Sequence, residues 1–134
     1  MLAPALDTIR LTLHVLAAAV WVGGQIVMVG LVGPARGLGG DAPKTLARAF
    51  ARLAWPAYVV LLVTGVWNVT AVGYSSMDSA WKAVLMAKIA VVVVAGVGVL
   101  LHQRATTKQG LAVWGAVGGL ASVAALVMGI LLAG

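Results

Sequence analysis

The chain has 134 residues, of which 63% are hydrophobic and 9% charged, with a mean hydropathy of +1.09 and a formal net charge of +6. That composition excludes a soluble domain, which needs roughly a quarter of its residues charged to cover its surface. The absence of cysteine excludes disulfides, thiolate metal sites and iron–sulfur clusters.

A bilayer core of ~30 Å needs about 20 apolar residues per helix. Four stretches meet this, at about residues 8–33, 54–73, 80–102 and 111–133. Their connections are short, which predicts antiparallel neighbours and an all-α, integral membrane, up-down-up-down four-helix bundle forming a single transmembrane domain over 1–134. The first apolar run is too long for a cleavable signal peptide, and no small-x-small cleavage pattern follows it.

The first span carries Arg10, His14, Trp21, Gln25 and Met28 at spacings that align them on one stripe of a helix. An ionisable side chain inside hydrocarbon is costly and points to function, so His14 is the first candidate. A Gly/Pro-rich turn, GPARGLGGDAPK, follows. Asp41 with Pro43 just inside is a helix-start pattern. Lys44, Arg48 and Arg52 then share a face, which predicts a basic interfacial helix at about 43–54 lying on anionic headgroups. Trp55 and Pro56 mark the membrane entry of the second span.

The second span holds Thr64, Gly65, Trp67 and Asn68 near its far end. On the third, Trp81, Lys88, Ala95 and His102 recur every seven residues and form one stripe. The fourth, with Gly115, Gly118, Gly119, Ser122, Ala125 and Gly129, has the small residues that let helix backbones approach closely in lipid. Arg36, Lys44, Arg48 and Arg52 in one connection, and Arg104 and Lys108 in another, place these connections in the cytoplasm by the positive-inside rule. Both termini then face outward. This distribution of charge accounts for the basic balance without nucleic acid, and the localisation it predicts is a prokaryotic inner membrane.

With a rise of ~1.5 Å per residue, His14 lies ~9 Å and Lys88 ~12 Å inside the outer ends of their spans. Asn68 and Met128 fall in the same outer layer. In a bundle of sequential neighbours the first and third helices are diagonal, so His14 and Lys88 are expected to face each other, with Trp21 lining the core below. A second layer, nearer the cytoplasm, holds Gln25, Met28 and His102. Neutral imidazole suits copper and haem iron, and thioether sulfur suits Cu(I), so His14, Met28, Met128 and His102 are candidate metal ligands, with Met86 a further soft donor. The only acids, Asp7, Asp41 and Asp78, lie near surfaces. They leave no proton-coupled pump, no Ser–His–acid triad and no HExxH site.

These residues carry a family resemblance. LHVLAAAVWVGG resembles the opening motif of the copper-resistance protein D (CopD) family, a histidine followed by W-x-G-G. TGVWNVT (64–70) resembles that family's T-G-x-x-N element, and WKAVLMAKIAVVVVAGVGVLLHQR resembles its next helix. The resemblance spans about residues 11–104 and implies copper handling, in transport or resistance, at the bacterial inner membrane. The histidine-then-Trp-Gly pattern with a later lysine is also similar to the HemJ-type membrane protoporphyrinogen oxidases. In these a first-helix histidine and a later lysine are associated with haem, and His14 and Lys88 occupy the matching positions. The first motif departs from that type in having W-V-G-G in place of Trp-Phe-Ala-Gly. The sequence leaves three expectations: copper handling first, a b-type haem-binding redox protein second, and a non-catalytic accessory subunit third. Copper or haem b is the expected cofactor, and homo-oligomerisation is left open. The first and third make the chain a non-enzyme; if it is an enzyme, a haem-dependent membrane oxidoreductase is implied.

Overall fold

In the computed structural model, which describes residues 4–134, the described residues form four long helices and no strand. These are α1, Ala5–Gly37; α2, Ala42–Val72; α3, Ser79–Arg104; and α4, Lys108–Ala133. All four are long and apolar enough to cross a membrane. Their outer faces carry large apolar side chains, with Val29 80% and Leu120 71% exposed. Apolar helix faces of this kind suit hydrocarbon as solvent. The fold is therefore all-α, with four helices built like the spans of a multi-pass membrane protein.

The helices outrun the predicted spans. The basic helix expected at about 43–54, running into the second span, forms the first three turns of α2, which continues through Pro56 without interruption. Proline lacks an N–H, yet nearby turns can satisfy the freed carbonyl, so a proline in a long apolar helix does not have to end it. Asp41 takes the cap position before α2, but its side chain makes no capping bond; its carbonyl accepts from Thr45 N–H at 2.8 Å instead. Gly73 ends α2 at φ 71°, a left-handed conformation that glycine adopts without a Cβ clash.

The chain divides into two compact units, residues 1–73 and 74–134. Each is an antiparallel helical hairpin. In the first, Arg10 pairs with Asn68, His14 with Thr64, and Trp21 with Trp55 and Tyr58, so residue numbers rise on α1 as they fall on α2. In the second, Trp81 Nε1 donates to Leu132 O at 3.1 Å, and His102 Nδ1 lies 2.8 Å from Leu111 O. Between these ends Gly98 meets Gly118.

Local signals set the ends of the second hairpin. The Asp78 carboxylate accepts from Trp81 N–H at 2.7 Å and caps α3. The Thr107 hydroxyl accepts from Gly110 N–H at 3.0 Å and caps α4. Asp78→Ala should lower stability of this hairpin by about 1 kcal/mol, the usual worth of an N-cap. Thermal unfolding in neutral detergent checks this, and an unchanged midpoint would show that the bilayer-facing ends need no cap.

One segment of α1 is irregular. Residues Ala19–Gly23 form a single π-helical turn. Such a turn inserts a residue into the α-helical ladder and leaves a carbonyl in need of a donor. Gln25 Nε2 donates to Trp21 O at 2.9 Å, which gives this intramembrane glutamine a structural task.

Candidate functional site

The polar side chains of α1 and α2 form a ladder inside the first hairpin. At its outermost rung, Arg10 is buried, with 7% of its surface exposed. Its Nη2 donates to Asp7 Oδ1 at 2.8 Å, and its Nη1 donates to Asn68 Oδ1 at 3.0 Å. The third nitrogen, Nε, is buried with no acceptor among the described residues. A buried donor left in that state costs about 1–3 kcal/mol.

One turn inward, His14 Nδ1 and Thr64 Oγ1 are 2.7 Å apart. Thr64 has one hydroxyl hydrogen, and it donates to Val60 O at 2.6 Å. Oγ1 is therefore the acceptor, and His14 Nδ1 carries the hydrogen. In the neutral ring this fixes the tautomer and makes Nε2 the nitrogen with the lone pair. Gly65 is the next residue on α2, and a Cβ built there would stand 3.9 Å from His14 Cε1, in ordinary contact. Thr64 is 2% exposed, so its hydroxyl is a fixed, dry partner for the imidazole.

Further along, Trp21 is almost wholly buried and packs against Tyr58 at 4.6 Å between ring centroids and Trp55 at 5.5 Å. Trp55 and Tyr58 are themselves edge-on at 5.7 Å. Trp55, expected only as a headgroup anchor, is thus part of an internal aromatic cluster. Trp21 lies seven residues, or ~10 Å, beyond His14 on α1.

The predicted residues therefore separate into different settings. Asn68 lies one helical turn from the His14–Thr64 pair, and its side-chain oxygen accepts from Arg10. Met28 is half-buried on α1, fourteen residues or ~21 Å from His14 along the helix, too far for the two to hold one ion. Lys88 and Met128 belong to the second hairpin. Lys88 Nζ lies 2.9 Å from where a Gly129 Cβ would stand, so the glycine leaves room for the ammonium group. His102, expected in the layer nearer the cytoplasm, uses Nδ1 to donate to Leu111 O, and its ring covers Gly115. It clasps the α3–α4 connection, and only its Nε2 has ligand character. No group of three or more His, Asp or Glu side chains gathers among the described residues.

Sequence reading missed Arg10, Asp7 and Thr64 as members of the site. The signal was present as two matched spacings: Arg10 to His14 and Thr64 to Asn68 are both four residues, so antiparallel helices bring the pairs together a turn apart. No family model, no curated protein and no solved structure matches the chain.

Proposed function

We propose that this chain is a small membrane protein of the metal-handling kind its motifs resemble, and that His14 would hold haem iron through Nε2. The supporting observation is the Thr64 hydroxyl, which holds Nδ1 as the donor and leaves the lone pair on Nε2. Histidine ligands to metals ordinarily have their other ring nitrogen fixed by such a partner. Haem also suits a site with a single strong donor. The porphyrin would supply most of the iron's ligands, so one strong protein donor with its own hydrogen-bond partner would suffice. Bound there, haem would supply one-electron chemistry, with His14 holding the iron and Thr64 orienting His14.

Copper handling is the second reading, and it rests on the same neutral imidazole with the half-buried Met28 and Met128 as soft donors at other levels. In that case His14 is one station among several rather than part of a closed site. Absorption spectra and elemental analysis of protein purified in mild detergent separate the two. A Soret band in the wild type, lost in His14→Ala, is the expected result. Colourless protein carrying stoichiometric copper would replace the haem reading with the copper one. If neither co-purifies or binds on reconstitution, the accessory-subunit reading takes over.

The same proposal places the protein in a prokaryotic inner membrane with its basic connections in the cytoplasm. The exposed Arg36, Lys44, Arg48 and Arg52 are suited to anionic headgroups on that side. An Arg36→Cys variant should resist an impermeant thiol reagent added to intact cells. Ready labelling would reverse the orientation.

A further inference from the structure

We propose that the second hairpin binds a phospholipid with an ethanolamine headgroup at the end where α3 begins and α4 finishes. A groove of about 340 Å³ opens there, lined by Asp78, Ala80, Trp81, Val84, Leu131 and Leu132. Its side chains are apolar except for the Asp78 carboxylate and the Trp81 indole N–H, and Leu132 O already accepts from that N–H at 3.1 Å. Asp78 Oδ1 accepts from Trp81 N–H at 2.7 Å, yet no cation pairs with this carboxylate among the described residues. Lys82, one turn along α3, is turned elsewhere: its Nζ lies 3.5 Å from Ser75 O and 5.1 Å from the centre of the Tyr74 ring.

A second unpaired charge stands further in. Lys88 follows Val84 by four residues and Gly129 precedes Leu132 by three, so this pair sits one turn beyond the groove on both helices. Lys88 Nζ lies against Gly129, ~4.5 Å of helix rise from the rung where Trp81 meets Leu132. Helical side chains lean toward the start of their helix, which for Lys88 is the Asp78 end. Lys88 has no ion pair among the described residues either. Charges left without partners beside hydrocarbon are costly, and one molecule carrying both opposite charges relieves both. Phosphatidylethanolamine is such a molecule, with an ammonium at its tip and a phosphate one two-carbon arm nearer the acyl chains. The protein presents the matching order, a carboxylate at the helix end and an ammonium a turn nearer the bilayer centre. Val84 and Leu131 then offer apolar surface to the acyl chain. The ethanolamine ammonium donates charge-assisted hydrogen bonds to Asp78, whereas the methylated nitrogen of choline has none to donate. A lipid without the amine brings its phosphate to Lys88 and leaves Asp78 unpaired.

The experiment strips the full chain of lipid in neutral detergent and adds phosphatidylethanolamine, phosphatidylcholine or phosphatidylglycerol with the same acyl chains. Native mass spectrometry then counts the lipid bound at each concentration. Wild-type protein should bind one phosphatidylethanolamine about tenfold tighter than phosphatidylcholine, in keeping with a charge-assisted hydrogen bond. Asp78→Asn should lower phosphatidylethanolamine affinity to that of phosphatidylcholine and leave the latter unchanged. Asparagine caps a helix as well as aspartate does, so α3 keeps its start in this variant. Lys88→Met should weaken both lipids alike, because both carry the phosphate. The wild-type comparison needs no variant, so poor folding of either does not blunt the test. Equal affinity of wild type for the two lipids, or a preference that survives Asp78→Asn, would overturn the inference. Unchanged binding of both lipids in Lys88→Met would overturn it too, since the phosphate would have no partner. If phosphatidylglycerol binds tightest of the three, the occupant is an anionic lipid and the ethanolamine assignment falls.

Discussion

Gly98→Val should disrupt the second hairpin more than any other single substitution in it. A Cβ at Gly98 would stand 2.8 Å from the backbone nitrogen of Gly118 and 2.9 Å from its Cα, and a Cβ at Gly118 would stand 2.9 Å from Val99 N. Backbone atoms cannot rotate aside, so the helices themselves have to separate. Overpacking in a well-fitted interior costs about 1–3 kcal/mol where side chains can yield, and here the upper end or more is expected. Prising the helices apart also forfeits the close backbone approach that drives association in lipid, where the hydrophobic effect gives no help. Two glycines serve as comparisons. Gly119→Val, at a position with nothing within 4 Å of its Cβ, should be nearly neutral for packing. At Gly129 the obstacle is the Lys88 ammonium, the end of a flexible chain, so Gly129→Ala should cost little. Unfolding in mixed micelles of increasing dodecyl sulfate content, followed by tryptophan fluorescence, reads these differences. Equal midpoints for Gly98→Val and Gly119→Val would show that the Gly98–Gly118 contact does not hold the hairpin.

Thr64→Val should weaken ligand binding at His14 by about 10–100-fold, the usual cost of removing the outer hydrogen-bond partner of a metal-ligating histidine. The substitution keeps the shape of a side chain that is 2% exposed, so the effect isolates the hydroxyl. Without it, Nδ1–H loses its acceptor, and the ring can turn or exchange tautomers so that Nε2 no longer presents its lone pair. Thr64→Ser keeps the hydroxyl and should restore most of the affinity. Haem or copper titration of the three proteins decides the matter. Wild-type affinity in Thr64→Val would mean that the threonine bonds helices together and does not orient the histidine. A loss that Thr64→Ser fails to recover would point to packing rather than to the hydrogen bond.

Both predictions turn on contacts between helices, and this marks where sequence reasoning reached its limit. Apolar length alone located three of the four helices to within a few residues and the fourth, α2, by its apolar part only, because a bilayer-length hydrophobic run with so little charge has few other structures open to it. Helical periodicity placed Arg10, His14, Trp21, Gln25 and Met28 on one stripe, and its Arg10, His14 and Trp21 do contact α2. The glycines of α4 were legible as packing residues, and Gly118 is buried against Gly98.

Partners were not legible in the same way. Depth counted along each helix put His14 and Asn68 in one layer, but it could not say that Asn68 bonds Arg10 or that Thr64 is the residue opposite His14. Arg10 is buried, with Asp7 and Asn68 both reaching its guanidinium. The π turn at Ala19–Gly23 was also invisible, since its residues read as an ordinary apolar run and its signature is a hydrogen-bond shift stabilised by Gln25.

The sequence by itself determined the class of protein, an all-α chain with four helices built for hydrocarbon, together with the candidate histidine at the head of the first. Hydropathy and period are properties of one helix at a time, so they can be read without a partner. The tertiary structure decided which nitrogen of His14 carries the lone pair, which arginine atom lacks an acceptor, and where backbone meets backbone. Each of these depends on the rotation and register of one helix against another, and many sequences with the same hydrophobic pattern would leave them different.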